Sequence, residues 1–279
     1  MTRDEYAELL VKIGGDPIGL TSRNERSDAE QAVLFRHTQE FWILVSLGDA
    51  LHQFYRDSLD TIARSLVPGI TDLQIAMANW HVVSFNRFAA GYHLAVHGYY
   101  FDAIALGRDL WEVSLSLAGL KKGIVTLQEL IAANATNASE MESMSRKADR
   151  TIRDKLLKAN TALSGAAKEA IDAFIYITNA AVHKSKLHTS LNLRNWASGN
   201  PIPIFPHFDL EQASAAYNVF FQASWGLFST LPYLDFALPG SNRTWQERYE
   251  RVQLAFVEGL GRGPKPYHQA WPTVIRAVF

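Results

Sequence analysis

Cysteine is absent from the 279 residues. That excludes disulfides, zinc fingers, iron–sulfur clusters and thiol catalysis together. No Gly-rich phosphate loop, Gly-x-Ser-x-Gly elbow or dinucleotide fingerprint occurs either. Neither sign of charge is in excess: 27 Lys and Arg stand against 28 Asp and Glu, a formal net charge of -1. Bulk electrostatic attraction to nucleic acid is therefore not indicated, and such binding would need a local basic patch. Period-two alternation long enough for a sheet is missing, apart from a weak run over Thr273–Phe279. No internal repeat or low-complexity tract interrupts the chain.

What the chain does have is apolar and aromatic mass. Hydrophobic residues make up 48%, with 15 Phe, 10 Tyr and 7 Trp, enough for a sizeable core and for thick helical packing. The segment from Gln212 to Leu234 carries no formal charge and is long enough to span a bilayer. Its polar Gln212, Ser214, Asn218, Gln222, Ser224, Ser229 and Thr230, with Pro232, read instead as a buried core helix. The start, Met1-Thr2-Arg3-Asp4-Glu5, is acidic and amphipathic and lacks the apolar stretch of a signal peptide. Sequons at Asn134, Asn137 and Asn242 then carry no weight, and a cytoplasmic location without membrane contact is expected.

Helix starts are marked by Ser or Thr followed three residues later by Glu or Gln, the capping box that satisfies orphan amides of the first turn. The pattern occurs at Thr2/Glu5, Ser27/Glu30, Thr71/Gln74, Ser139/Glu142 and Thr244/Glu247. Leu44, Leu47, Leu51, Phe54, Leu59, Ile62 and Leu66 form one helical stripe, which Pro68-Gly69 ends. Further helices are expected over Thr71 to about His97, Asp102–Leu120, Thr126–Ala133, Ser139–Leu163, Ala166–Lys186, Asp209 to about Pro232, and Thr244–Leu260. The three prolines in Asn195–Phe208 mark the clearest loop, and the Gly/Pro-rich stretch after Leu260 reads as a flexible terminus. The expected fold is all-α: N-terminal helices (1–70) packing on a bundle (71–190), with a loop and C-terminal helices (191–279) completing the same domain.

Three constellations can carry chemistry. In Arg108-Asp109-Leu110-Trp111-Glu112, Arg108 and Glu112 share a helix face and can pair. That face lies on a very apolar helix, where an ion pair is expensive to desolvate; the plainer reading is a solvated rim. In Thr178-Asn179-Ala180-Ala181-Val182-His183, His183 titrates near neutral pH as a general acid or base requires. Asn179 stands one turn before it, and Lys184, Lys186 and Arg194 supply charge for a phosphate. The plainer reading is a basic helix end complementing the helix dipole. Thirdly, His93 and His97 share a face at metal-ligand spacing, but no Glu lies between them and no partner stands nearby in sequence. Packing histidines are the expectation there, and no metal or cofactor is expected.

The 178–183 stretch resembles the motif of HEPN proteins, helical bundles marked by an Arg followed four to six residues later by His, often with Asn, Asp or His directly after the Arg. Here Thr178 stands in the Arg place. G-Y-Y-F-D-A-I-A-L-G-R-D-L-W-E is similar to the second HEPN helix, so the resemblance covers about Thr71–Lys186. The chain also looks like uncharacterised bacterial helical proteins that pair an Arg-x-x-x-Glu helix with a later Val-His-x-Ser. The resemblance implies RNA or nucleotide binding, a homodimer, and a metal-independent ribonuclease of a toxin or defence system. In it His183 acts on the ribose 2′-hydroxyl or the leaving oxygen, an Arg steadies the phosphate, and Asn179 and Glu112 line the same site. Arg108 takes the missing Arg's place if the two helices face each other. The alternative is a non-catalytic helical binding or scaffold protein.

Overall fold

The computed structural model describes residues 20–65, 68–182, 206–238, 242–261 and 270–279, with side chains from position 26 onward. They form ten α-helices and no strand among the described residues: α1 (Leu20–Glu40), α2 (Trp42–Arg64), α3 (Asp72–Val96), α4 (Tyr100–Lys121), α5 (Leu127–Leu130), α6 (Ala138–Arg153), α7 (Gly165–Val182), α8 (Leu210–Ser229), α9 (Arg243–Gly261) and α10 (Trp271–Val278). A π-helical turn, Asp154–Lys158, extends α6, and a short 3₁₀ turn, Leu231–Tyr233, follows α8. This is the expected all-α bundle.

The uncharged segment is its axis. Helix α8 is buried over nearly its whole circumference, from Ala213 and Ser214 to Phe228. A helix apolar all round must lie in a core, and no helix among the described residues is long and apolar enough to cross a membrane. Helix α4 lies along α8 and also touches α3 and α7. Helices α2 and α9 pack together on the other flank, and α10 closes against α7 and α8. One continuous hydrophobic cluster runs from Phe41 to Val278.

Capping decides the helix starts, partly as expected. Thr71 accepts from the Gln74 amide while the Gln74 side chain accepts from the Thr71 amide at 2.9 Å, and Asp209 caps α8 through the Gln212 amide at 2.8 Å. Ser27 is not a cap: it lies inside α1, and Glu30 is bound by Arg26 and Tyr99 instead. Asn137 displaces Ser139 by accepting from the Glu140 amide at 3.0 Å. Asn242 takes the same part ahead of Thr244 by accepting from the Trp245 amide. Thr126 and Glu129 form a further capping box. The expected Ser139–Leu163 helix is broken by the wide π turn, and Thr2/Glu5 lies outside the described residues. Thr273–Phe279 is helical over nearly all its length: Trp271, Val274, Ile275 and Val278 face the core at helical spacing, and Pro272 suits a first turn.

Close approach of α2 to α3 depends on Gly48, where a Cβ would come 2.2 Å from the Tyr92 ring. Tyr92 is not free to yield, since its hydroxyl donates to the Val45 carbonyl at 2.7 Å and to Asp49 at 2.9 Å. Gly48→Ala is therefore expected to lower unfolding free energy by about 2–3 kcal/mol, the usual cost of overpacking. Urea denaturation measures it, and Tyr92→Phe/Gly48→Ala should recover little, because the ring and not the hydroxyl is the obstacle.

Candidate functional site

Helices α4 and α7 are neighbours, which brings two of the sequence-level constellations into one cluster. Gly107, on the turn holding Arg108, faces the α8 backbone near Phe220. Trp111 is buried against Phe174 of α7 and Trp271 of α10. With those two positions fixed in the core, Arg108 and Glu112 emerge on the seam towards α7.

The Arg108 side chain is half-buried, 13% exposed. Its Nε donates to Glu112 Oε1. Its Nη1 donates to Thr178 Oγ1 at 3.2 Å and to Asn179 Oδ1 at 2.6 Å. Thr178 is fully buried and its own hydroxyl donates to the Ile175 carbonyl. Nη2 of Arg108 makes no hydrogen bond among the described residues. Asp109, next in sequence, points outward and sits 3.8 Å from Arg87.

A second cation, unmarked by any sequence pattern, completes the cluster. Arg153, at the end of α6, donates from Nη2 to Glu112 Oε2 at 2.9 Å. The Glu112 carboxylate thus lies between two guanidiniums, a charge-assisted arrangement with one oxygen for each. Asp149, one turn before Arg153, stands close enough for burial and then the Glu112 charge to push its carboxyl above the ordinary range, with Arg153 opposing them. No local spacing marks Arg153, because its partner lies 41 residues away.

Arg108, Glu112 and Asn179 are therefore brought together as the helix-pair expectation required. His183, Lys184, Lys186 and Arg194 lie outside the described residues. The His93 and His97 rings lie tilted with centroids 4.1 Å apart, and His97 Nδ1 lies 2.8 Å from the His93 carbonyl. Among the described residues no three His, Asp or Glu side chains gather to hold a metal.

Two other histidines are core residues. His81 is fully buried between the Tyr55 hydroxyl at 3.0 Å and the Thr230 hydroxyl at 3.3 Å. His37 is equally buried between the hydroxyls of Tyr100 and Tyr217, each at 3.0 Å. Burial pushes His81 down to about 3; burial, aided by the charge of His97, pushes His37 down to about 4. Both are neutral packing groups at pH 7, not proton carriers.

Comparison with protein-family models, curated proteins and solved structures finds no match to this chain.

Proposed function

We propose that this chain is an HEPN-like RNA- or nucleotide-binding protein that cleaves RNA without a metal, as a component of a toxin or defence system. The observation that carries the reading is the contact of the Arg108 guanidinium with Thr178 and Asn179. In the HEPN-like motif an Arg stands where this chain has Thr178; here a neighbouring helix delivers a guanidinium to that same position. Arg108 then steadies the phosphate through Nη2, which has no hydrogen bond among the described residues and belongs to a planar fork of donors suited to phosphate oxygens. His183, four residues after Asn179, takes the proton of the ribose 2′-hydroxyl. The O2′–P bond forms, the P–O5′ bond breaks, and the departing 5′-oxygen is protonated, leaving a 2′,3′-cyclic phosphate. An imidazole can accept the first proton as a base and return one to the leaving oxygen as an acid. The protein acts as a homodimer in this reading.

A second reading has its own support. Arg108 and Arg153 each pair with one oxygen of Glu112, as they would if the cluster only clamped α4, α6 and α7 together in a binding or scaffold protein. Incubating the parent protein and His183→Ala with single-stranded and structured RNA in EDTA separates the two. Cleavage by the parent alone supports the nuclease. No cleavage by either favours the scaffold.

A further inference from the structure

Beside this cluster lies a cleft of about 290 Å³, lined by Arg153, Leu157, Lys158, Lys168, Ile171, Asp172 and Ile175. It follows the seam between α7 and the end of α6. We propose that this cleft binds a nucleoside monophosphate, with the phosphate on Arg153 and Lys168 and the base on the aliphatic floor. The inference rests on the nucleotide-binding part of the proposed function and is independent of cleavage.

The lining separates into three chemistries. Leu157 and Ile171 are buried and Ile175 half-buried, an aliphatic floor for a flat ring. Arg153, Lys158 and Lys168 are three cations around it, against a single lining carboxylate, Asp172. Arg153 spends one nitrogen on Glu112, and its Nε and Nη1 carry no hydrogen bond among the described residues. Lys158 is paired with Asp154 at 2.8 Å, whereas Lys168 has no ion-pair partner among the described residues. Lys168, together with the Nε and Nη1 donors that Arg153 does not use on Glu112 among the described residues, points to an anion, and Asp172 offers an acceptor for ribose hydroxyls or an exocyclic amine. Inorganic phosphate alone would leave the aliphatic floor unused, and an acyl chain would leave Asp172 without a donor. The volume is at the small end of ligand pockets, about 300–1,000 Å³, which suits one nucleotide rather than a dinucleotide.

The π turn is what assembles this lining. In an α-helix Lys158, five residues after Arg153, would be turned about 140° away from it. The widened turn, closed by the Ala159 amide donating to the Asp154 carbonyl at 2.8 Å, lets Lys158 line the same cleft as Arg153 and Leu157. Such a turn gives up regular helical bonding, and single π turns recur at functional sites. On α7, Lys168, Ile171, Asp172 and Ile175 recur at three- and four-residue steps, one helix face. That face leads to Asn179, one turn further along, and Arg153 is shared between the cleft and the Arg108 cluster.

Calorimetric titration of the full chain with adenosine monophosphate, adenosine and inorganic phosphate tests the assignment, with Lys168→Glu as the cleft variant and Arg251→Glu as a charge reversal far from it. Lys168 and Arg251 are exposed, so both variants should melt like the parent. The expected result is that the parent binds adenosine monophosphate at least tenfold more tightly than either fragment. Lys168→Glu should weaken binding at least tenfold, and Arg251→Glu should leave it unchanged. Equal affinity in parent and Lys168→Glu overturns the cleft while leaving nucleotide binding elsewhere intact. Absence of binding to the parent also overturns it, and RNA cleavage in EDTA, if present, would then show that the nuclease reading survives without it.

Discussion

Arg108→Ala is expected to lower RNA cleavage by about 10²–10³-fold, the usual loss when a preorganised donor to developing charge is removed. The fold should persist. Glu112 keeps Arg153 as its cation, and Thr178 keeps the Ile175 carbonyl. The stability loss is therefore expected to be about 1–3 kcal/mol, that of a half-buried charge-assisted contact. Arg108→Lys should rescue little activity. An ammonium is a point donor and cannot meet Glu112, Thr178, Asn179 and a phosphate from one planar group. The separation of the two effects is what matters. If the cluster is only a clamp between helices, Arg108→Ala lowers the melting temperature and leaves activity and RNA affinity per folded molecule as they were. If it carries phosphate, activity collapses at temperatures where the variant is fully folded.

The second large effect is acid sensitivity. His37 and His81 sit buried and neutral, with values pushed down to about 4 and about 3. In the unfolded chain each takes a proton below about 6.5. Between pH 6.5 and about 4 the unfolded state therefore binds protons that the folded state refuses. Stability falls as pH falls, by up to about 1.4 kcal/mol per pH unit for each histidine. From pH 6.5 to 5 the two together remove about 3 kcal/mol, a large share of the ~5–15 kcal/mol that holds a typical domain folded. His81→Leu provides the internal control. The hydroxyls that met the ring keep backbone acceptors, Tyr55 at the residue-81 carbonyl and Thr230 at the Leu227 carbonyl. The variant should lose about 2 kcal/mol less than the parent over that interval. Urea midpoints at a series of pH values measure the difference, and a parent–variant gap that does not change with pH would contradict the assignment.

The fold was legible in the sequence because its signals are local. The uncharged Gln212–Leu234 stretch had to be buried, and Thr71/Gln74 and Asp209 fix helix starts through atoms three residues apart. The misreadings are competitions that local pattern does not settle. Ser27 has the spacing of a cap, but Glu30 is taken by Tyr99 from 69 residues away. Asn137 outcompetes Ser139 because its side-chain oxygen meets the Glu140 amide and starts the helix at Ala138, with Ser139 already inside the first turn. The Thr273–Phe279 run is apolar enough for a strand, yet its core-facing residues fall at helical spacing. The candidate site was legible in half. Arg108 with Glu112 is a one-turn pair within one helix, and Asn179 lies in a stretch that resembles the HEPN motif. That Arg108 meets Asn179 depends on α4 lying against α7. Arg153 was hidden altogether, because both its pairing with Glu112 and its place in the cleft come from tertiary contacts and from a π turn that D-K-L-L-K does not announce.

The most direct measurement is mass spectrometry of the ends of RNA fragments made in EDTA by the parent protein and by His183→Ala. The account predicts 2′,3′-cyclic phosphate and 5′-hydroxyl ends from the parent and their disappearance with His183→Ala. Fragments bearing 5′-phosphates, or cyclic-phosphate ends formed equally by His183→Ala, would contradict it.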